Sequence, residues 1–167
     1  MGFAADTPGE AFDPLASAVN VWRSKISARS DLPGWEDFAA VDFGSWWFQL
    51  SLAEMRRDPV DIQWIIWGRS LALWWGHDYT DQFISKQPYL GDIWERVERP
   101  YLERLMDERL IGFITGTLKP QDREFTYVDG VDMPLARDGE ITHLLSIYRL
   151  REPDDDFRPT APAIFSM

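Results

Sequence analysis

Hydropathy alternates with a period of two in two segments ahead of a long helical stretch and in three segments after it. That order limits the chain to few architectures. In the first segment Phe48, Leu50 and Leu52 share one face while Gln49, Ser51 and Ala53 share the other, the pattern of a half-buried strand. Arg57-Asp58-Pro59 reads as a turn. Beyond it Val60, Ile62, Trp64 and Ile66 alternate with Asp61, Gln63, Ile65 and Trp67, which makes a second strand antiparallel to the first. Gly68 ends it, and residues 69–109 read mostly as short helices: one over 71–75, one around Phe83, and a longer one over 93–109 that restarts at Pro100. In this last helix Val97, Tyr101 and Leu105 recur every fourth residue, with Glu95–Arg99 and Arg104–Glu108 spaced for ion pairs on the wet side. Three more strands are predicted over 111–118, 123–135 and 140–150, joined by turns at Lys119-Pro120-Gln121-Asp122 and Arg137-Asp138-Gly139. The class is α+β, an antiparallel sheet with helices over one face.

Ahead of the first strand, Asp13-Pro14 supplies an N-cap acceptor and a proline suited to the first helical turn, so a helix is expected over 14–29. Its apolar stripe is Leu15, Val19, Trp22 and Ile26. Such a stripe either lies on its own domain or pairs with a copy of itself in a homodimer. Leu32-Pro33-Gly34 breaks the helix and starts a short helical segment carrying Trp35 and Phe38. The expected organisation is a disordered start over 1–13, one domain over 14–150 with its core from about residue 46, and an acidic mobile tail over 151–167.

Composition narrows the function. The chain of 167 residues carries 28 Asp plus Glu against 17 Lys plus Arg, a formal net charge of −11, which disfavours binding to phosphate backbones. The absence of cysteine excludes disulfides, a thiolate nucleophile and a thiolate-held zinc or iron–sulfur site. The most apolar stretch, 62–75, is interrupted by Arg69 and falls short of a membrane span. No export or lipid signal is visible at the start, so a cytoplasmic location is the expectation.

Several residues in this order resemble a PAS domain, specifically a bacterial PAS-like family of mostly single-domain proteins. They are Trp22-Arg23, Leu32-Pro33 with Asp37-Phe38, Asp58-Pro59, Gly68, Gly76-His77-Asp78-Tyr79-Thr80, and Met133-Pro134-Leu135 with Asp138-Gly139. The resemblance implies a five-stranded antiparallel sheet, an N-terminal capping helix, and helices folded over one face around a small cavity. It further implies a non-catalytic sensory module in signal transduction, binding a small molecule, a protein partner, or both. The signal would leave through the sheet or leading helix to a separate protein.

Candidate ligand contacts are Trp64, Ile66, Leu71, Trp74, Tyr79, Trp94, Tyr101, Leu105, Phe113, Tyr127, His143 and Leu145, and the dimer or partner contacts are Leu15, Val19, Trp22 and Ile26. Large rings with one N–H donor suit a planar or apolar ligand, and suit equally a cavity filled by its own side chains. The latter would make the chain a filled-core interaction module. Haem finds no support, because family members commonly take the iron ligand from the helix before the third strand and residues 93–109 contain no His. A thiol–flavin adduct is excluded without Cys; noncovalent flavin has no residue in its favour. The competing class is a cone-shaped enzyme resembling nuclear transport factor folds, with His143 or His77 and Asp132 or Asp78 as an acid–base pair. Asp129 with Asp132, and the run Asp154 to Asp156, read as a strand bulge and a solvated charge run rather than metal sites.

Overall fold

The computed structural model describes residues 1–27, 31–118, 123–152 and 159–165, with the backbone alone over 123–125. In chain order its elements are β1 Gly2–Phe3, α1 Ala16–Ser24, α2 Ala40–Phe43, β2 Leu50–Arg57, β3 Val60–Trp67, α3 Arg69–Trp75, α4 Arg99–Glu108, β4 Ile111–Leu118, β5 Arg123–Arg137 and β6 Glu140–Arg151. The strands form one antiparallel sheet in the order β1-β4-β5-β6-β2-β3. Besides the two-residue β1, two strands precede the helical block and three follow it, as the alternation predicts.

The sheet has six strands rather than five. The sixth is β1, from the stretch expected to be disordered: Gly2 and Phe3 pair with Gly112 and Ile111 along the edge of β4. Burial explains why this stretch is held. Phe3 and Phe12 are buried and meet edge to face, with ring centroids 5.2 Å apart. The described end of the tail returns to the same edge, where Ile164 N–H donates to Gly2 O at 2.7 Å and Phe165 is buried. Residues 153–158, which include the Asp154 to Asp156 run, lie outside the described residues, as do 28–30 and the turn at 119–122.

Both faces of the sheet are covered, not one. Leu50, Leu52, Phe113, Val131, Met133, Leu135, Leu145 and Ile147 share one face through the strand register and are all essentially inaccessible. The N-terminal segment and α1 cover that side, with Trp22 donating its indole N–H to Pro134 O at 3.1 Å. Helix α1 spans Ala16–Ser24, shorter than the expected 14–29. Its stripe is the corrected part of the reading. Leu15, Val19 and Trp22 are fully buried in their own domain, so they are not surface available for a homodimer; Ile26 is half-buried against the same core.

The opposite face carries α3, the turns that follow it, and α4. Between Trp94 and Glu98 the helix is a π turn that becomes α-helical at Arg99, with Pro100 in the first α turn. Tyr101, Leu102, Leu105 and Met106 are the buried stripe of α4. Among the described residues no helix is long and apolar enough to cross a membrane.

Candidate functional site

A cavity of about 270 Å³ lies between this helical layer and the sheet. Strand register decides what lines it. Ser51 pairs with Ser146, which pairs with Asp132, which pairs with Gly112; one step along, Ala53 pairs with Leu144. Ala53, Leu144, Ser146, Tyr148, Asp132 and Val128 accordingly face the cavity together. A bulge in β3 adds a second wall. Leu52 pairs with Ile66 but Ala53 pairs with Trp64, which leaves Ile65 without an opposite residue and puts Trp64 and Trp67 on the same face. Their rings meet at 5.2 Å, and Trp75 sits edge to face against Trp67 at 5.5 Å and Tyr148 at 5.3 Å. The helical layer contributes Tyr89, Ile93, Glu98, Tyr101 and Leu102.

The floor is polar. Tyr101 donates its hydroxyl to Asp132 Oδ2 at 2.6 Å, tying α4 to β5. Gly112 makes this contact fit, because a β-carbon at that position would stand 1.9 Å from the Tyr101 hydroxyl oxygen. Gly130 does the same for Tyr148, whose ring would lie 2.7 Å from an added β-carbon. Asp132 is buried, and among the described residues its Oδ1 accepts no hydrogen bond; Trp67 Nε1–H is likewise buried without an acceptor. Both side chains line the cavity. Buried polar atoms are nearly always satisfied, so these two mark strained polar positions in the wall of the cavity, each covered by its neighbours.

Electrostatics single out the carboxyl groups. Burial pushes the Glu98 carboxyl up to about 7, and the nearby Asp132 charge adds to this. Burial also raises Asp132, against the pull of the Ser146 and Tyr101 hydroxyls and the Met1 ammonium. The Tyr101 and Tyr148 phenols are held well above their usual range, first by burial and then by the Asp132 charge. Glu98 sits on the half-buried last residue of the π turn, and Arg99 beside it pairs with Glu95 and Glu103 instead.

Of the expected ligand contacts, Trp64 and Tyr101 line the cavity and the others do not. Phe113 and Leu145 lie on the opposite face among the fully buried core, and Ile66, Tyr127 and His143 share that face by register. Tyr127 lies beneath the Arg151 guanidinium, 5.4 Å from its ring centroid. Leu71 and Leu105 are buried behind the lining. Tyr79 backs the wall, 5.2 Å from Trp64 and 5.1 Å from Trp67, while Trp74 and Trp94 are partly exposed. Missed by sequence reasoning were Trp67, Trp75, Tyr89, Glu98, Ser146 and Tyr148. The clue was present in the Trp–Trp spacing of three, which only a bulge reconciles with a shared strand face.

The acid–base pairs do not assemble. His143 is on the face away from Asp132, with Nδ1 2.9 Å from Thr142 Oγ1, and burial lowers its pKa. His77 Nε2 lies 2.8 Å from the Gln82 amide, and Asp78 Oδ1 accepts the Thr80 N–H and hydroxyl, closing a local turn. Among the described residues no three His, Asp or Glu side chains converge as metal ligands. On the far face, buried Asp129 takes Arg149 at 2.7 Å and the Thr115 hydroxyl at 2.8 Å, an ion pair inside the sheet. Comparison with family models, curated proteins and solved structures found no match.

Proposed function

We propose that the chain is a PAS-like sensory module, cytoplasmic and without chemistry of its own, whose aromatic cavity binds a small molecule and passes that state to a separate signalling protein. The observation that carries this reading is the cavity of about 270 Å³ lined by Trp64, Trp67, Trp75 and Tyr148 together with the two acidic residues Glu98 and Asp132. Two strands, a helical block over a cavity, then three strands is also the arrangement the resemblance implies. A solid core, as the interaction-module alternative needs, would leave no such space.

Signalling would be a shift between two packings, driven by whichever one holds the ligand better. Strand β5 is placed to report it. Asp132 in the cavity bonds Tyr101 of α4, and two residues along, Pro134 O accepts the indole N–H of Trp22 in α1 on the other face. A ligand that competes for Asp132 would change both contacts.

Native mass spectrometry of protein purified without denaturation from its own cells tests the reading. The expected result is a stoichiometric added mass in the wild type that Leu144→Trp, which fills the cavity from the sheet, abolishes. Equal occupancy in that variant would place the ligand elsewhere and overturn the assignment.

A further inference from the structure

The ligand's charge can be argued from the lining. Two carboxyl groups, Glu98 and Asp132, face a cavity whose other walls are aromatic and aliphatic. Among the described residues no Lys, Arg or His side chain pairs with either. The Met1 ammonium attracts Asp132, yet it donates to Phe113 O at 2.9 Å and not to a carboxylate. A desolvated carboxylate without a counter-ion is costly and is relieved either by a proton or by a cation.

We propose that this cavity binds a small organic ammonium ion, its charge met by Glu98 and Asp132 and its alkyl groups by Trp64, Trp67, Trp75 and Tyr148. The inference rests on the cavity being a ligand pocket and specifies what enters it. Three arguments converge. Aromatic faces carry negative potential and attract cations, most strongly when water is excluded. An anion would meet two carboxylates and the negative ring faces at once, while a purely apolar ligand would leave both carboxyl groups without a counter-charge. The net charge of −11 raises the local concentration of cations around the whole molecule.

Choline and its neutral isostere 3,3-dimethylbutan-1-ol separate charge from shape. Each is titrated into ¹⁵N-labelled protein at about pH 8, where a carboxyl group of pKa about 7 is ionised, and the indole N–H resonances are followed. The expected result is a shift of Trp67 with choline binding about tenfold more tightly than the isostere. Glu98→Gln reduces that preference, leaving Asp132 alone to meet the charge, without weakening the isostere. Glu98 is half-buried and accepts no ion pair among the described residues, so this variant keeps the fold even if Asp132→Asn does not. Equal binding of the two compounds, or a choline preference undiminished in Glu98→Gln, overturns the ammonium inference and leaves the pocket reading standing. Silence from both compounds also overturns it, and the native mass then decides the pocket separately.

Discussion

Glu98 carries the clearest prediction at the scale of single residues. Its folded pKa of about 7 stands above the unfolded reference of 4.5, so between those values the folded state holds more protons than the unfolded one. Stability contributed by this group therefore falls as pH rises through that window, by at most roughly 3 kcal/mol. Asp132 shifts in the same direction, whereas His143, lowered by burial, acts with the opposite sign, and the lowered Met1 ammonium acts oppositely at higher pH. The measurement is consequently a difference. Urea unfolding of wild type and Glu98→Gln across the window should show the variant gaining relative stability as pH rises; a constant difference would contradict the assigned burial. A second prediction concerns the floor. Gly112→Ala drives a β-carbon into the Tyr101 hydroxyl and frees it from Asp132, at a cost of about 1–3 kcal/mol. Tyr101→Phe, which removes the hydroxyl, should make Gly112→Ala much less costly, and additive losses in the double variant would refute the contact.

Among the elements, α1 and β3 show what the sequence does and does not specify. The apolar stripe of α1 is visible at spacings of four, three and four, yet the stripe alone does not say which surface covers it. Trp22 settles this by reaching Pro134 O from a fully buried position. Trp22→Ala should cost about 3–5 kcal/mol in unfolding measurements and leave the sedimentation mass of the folded fraction unchanged; a loss of mass without a loss of stability would restore the dimer reading. Strand existence, order and the turn at Asp58-Pro59 were legible because alternation and turn chemistry agree. Facing was not. In β6 both Leu145 and Leu144 are buried, on opposite sides, so hydropathy offers no reason to prefer one register over the other. The odd residues were expected inside the cavity, and the even residues Leu144, Ser146 and Tyr148 line it. In β3 the bulge at Ile65 breaks the period itself, which is why Trp64 was placed and Trp67 was not. The first thirteen residues lack any periodic signal, since β1 has only two residues and Phe3 and Phe12 are buried by long-range contacts.

For the whole molecule, the sheet separates two layers of different purpose. One layer, from the N-terminal segment and α1, packs on the fully buried apolar strand positions; the other encloses the aromatic cavity with its acidic floor. The charge of −11 sets a prediction at this scale: if the ligand is an ammonium ion, its affinity should weaken as salt rises toward physiological strength, more in wild type than in Glu98→Gln, as isothermal titration across sodium chloride concentrations would show. The central claim needs no ligand identity. Xenon enters apolar cavities without regard to charge, so ¹⁵N-indole spectra of the protein under xenon pressure report directly on where space exists. The account predicts shifts at Trp64, Trp67 and Trp75 and none at Trp22, which is fully buried on the other face. Unmoved resonances at the three cavity tryptophans, or a shift dominated by Trp22, would contradict it.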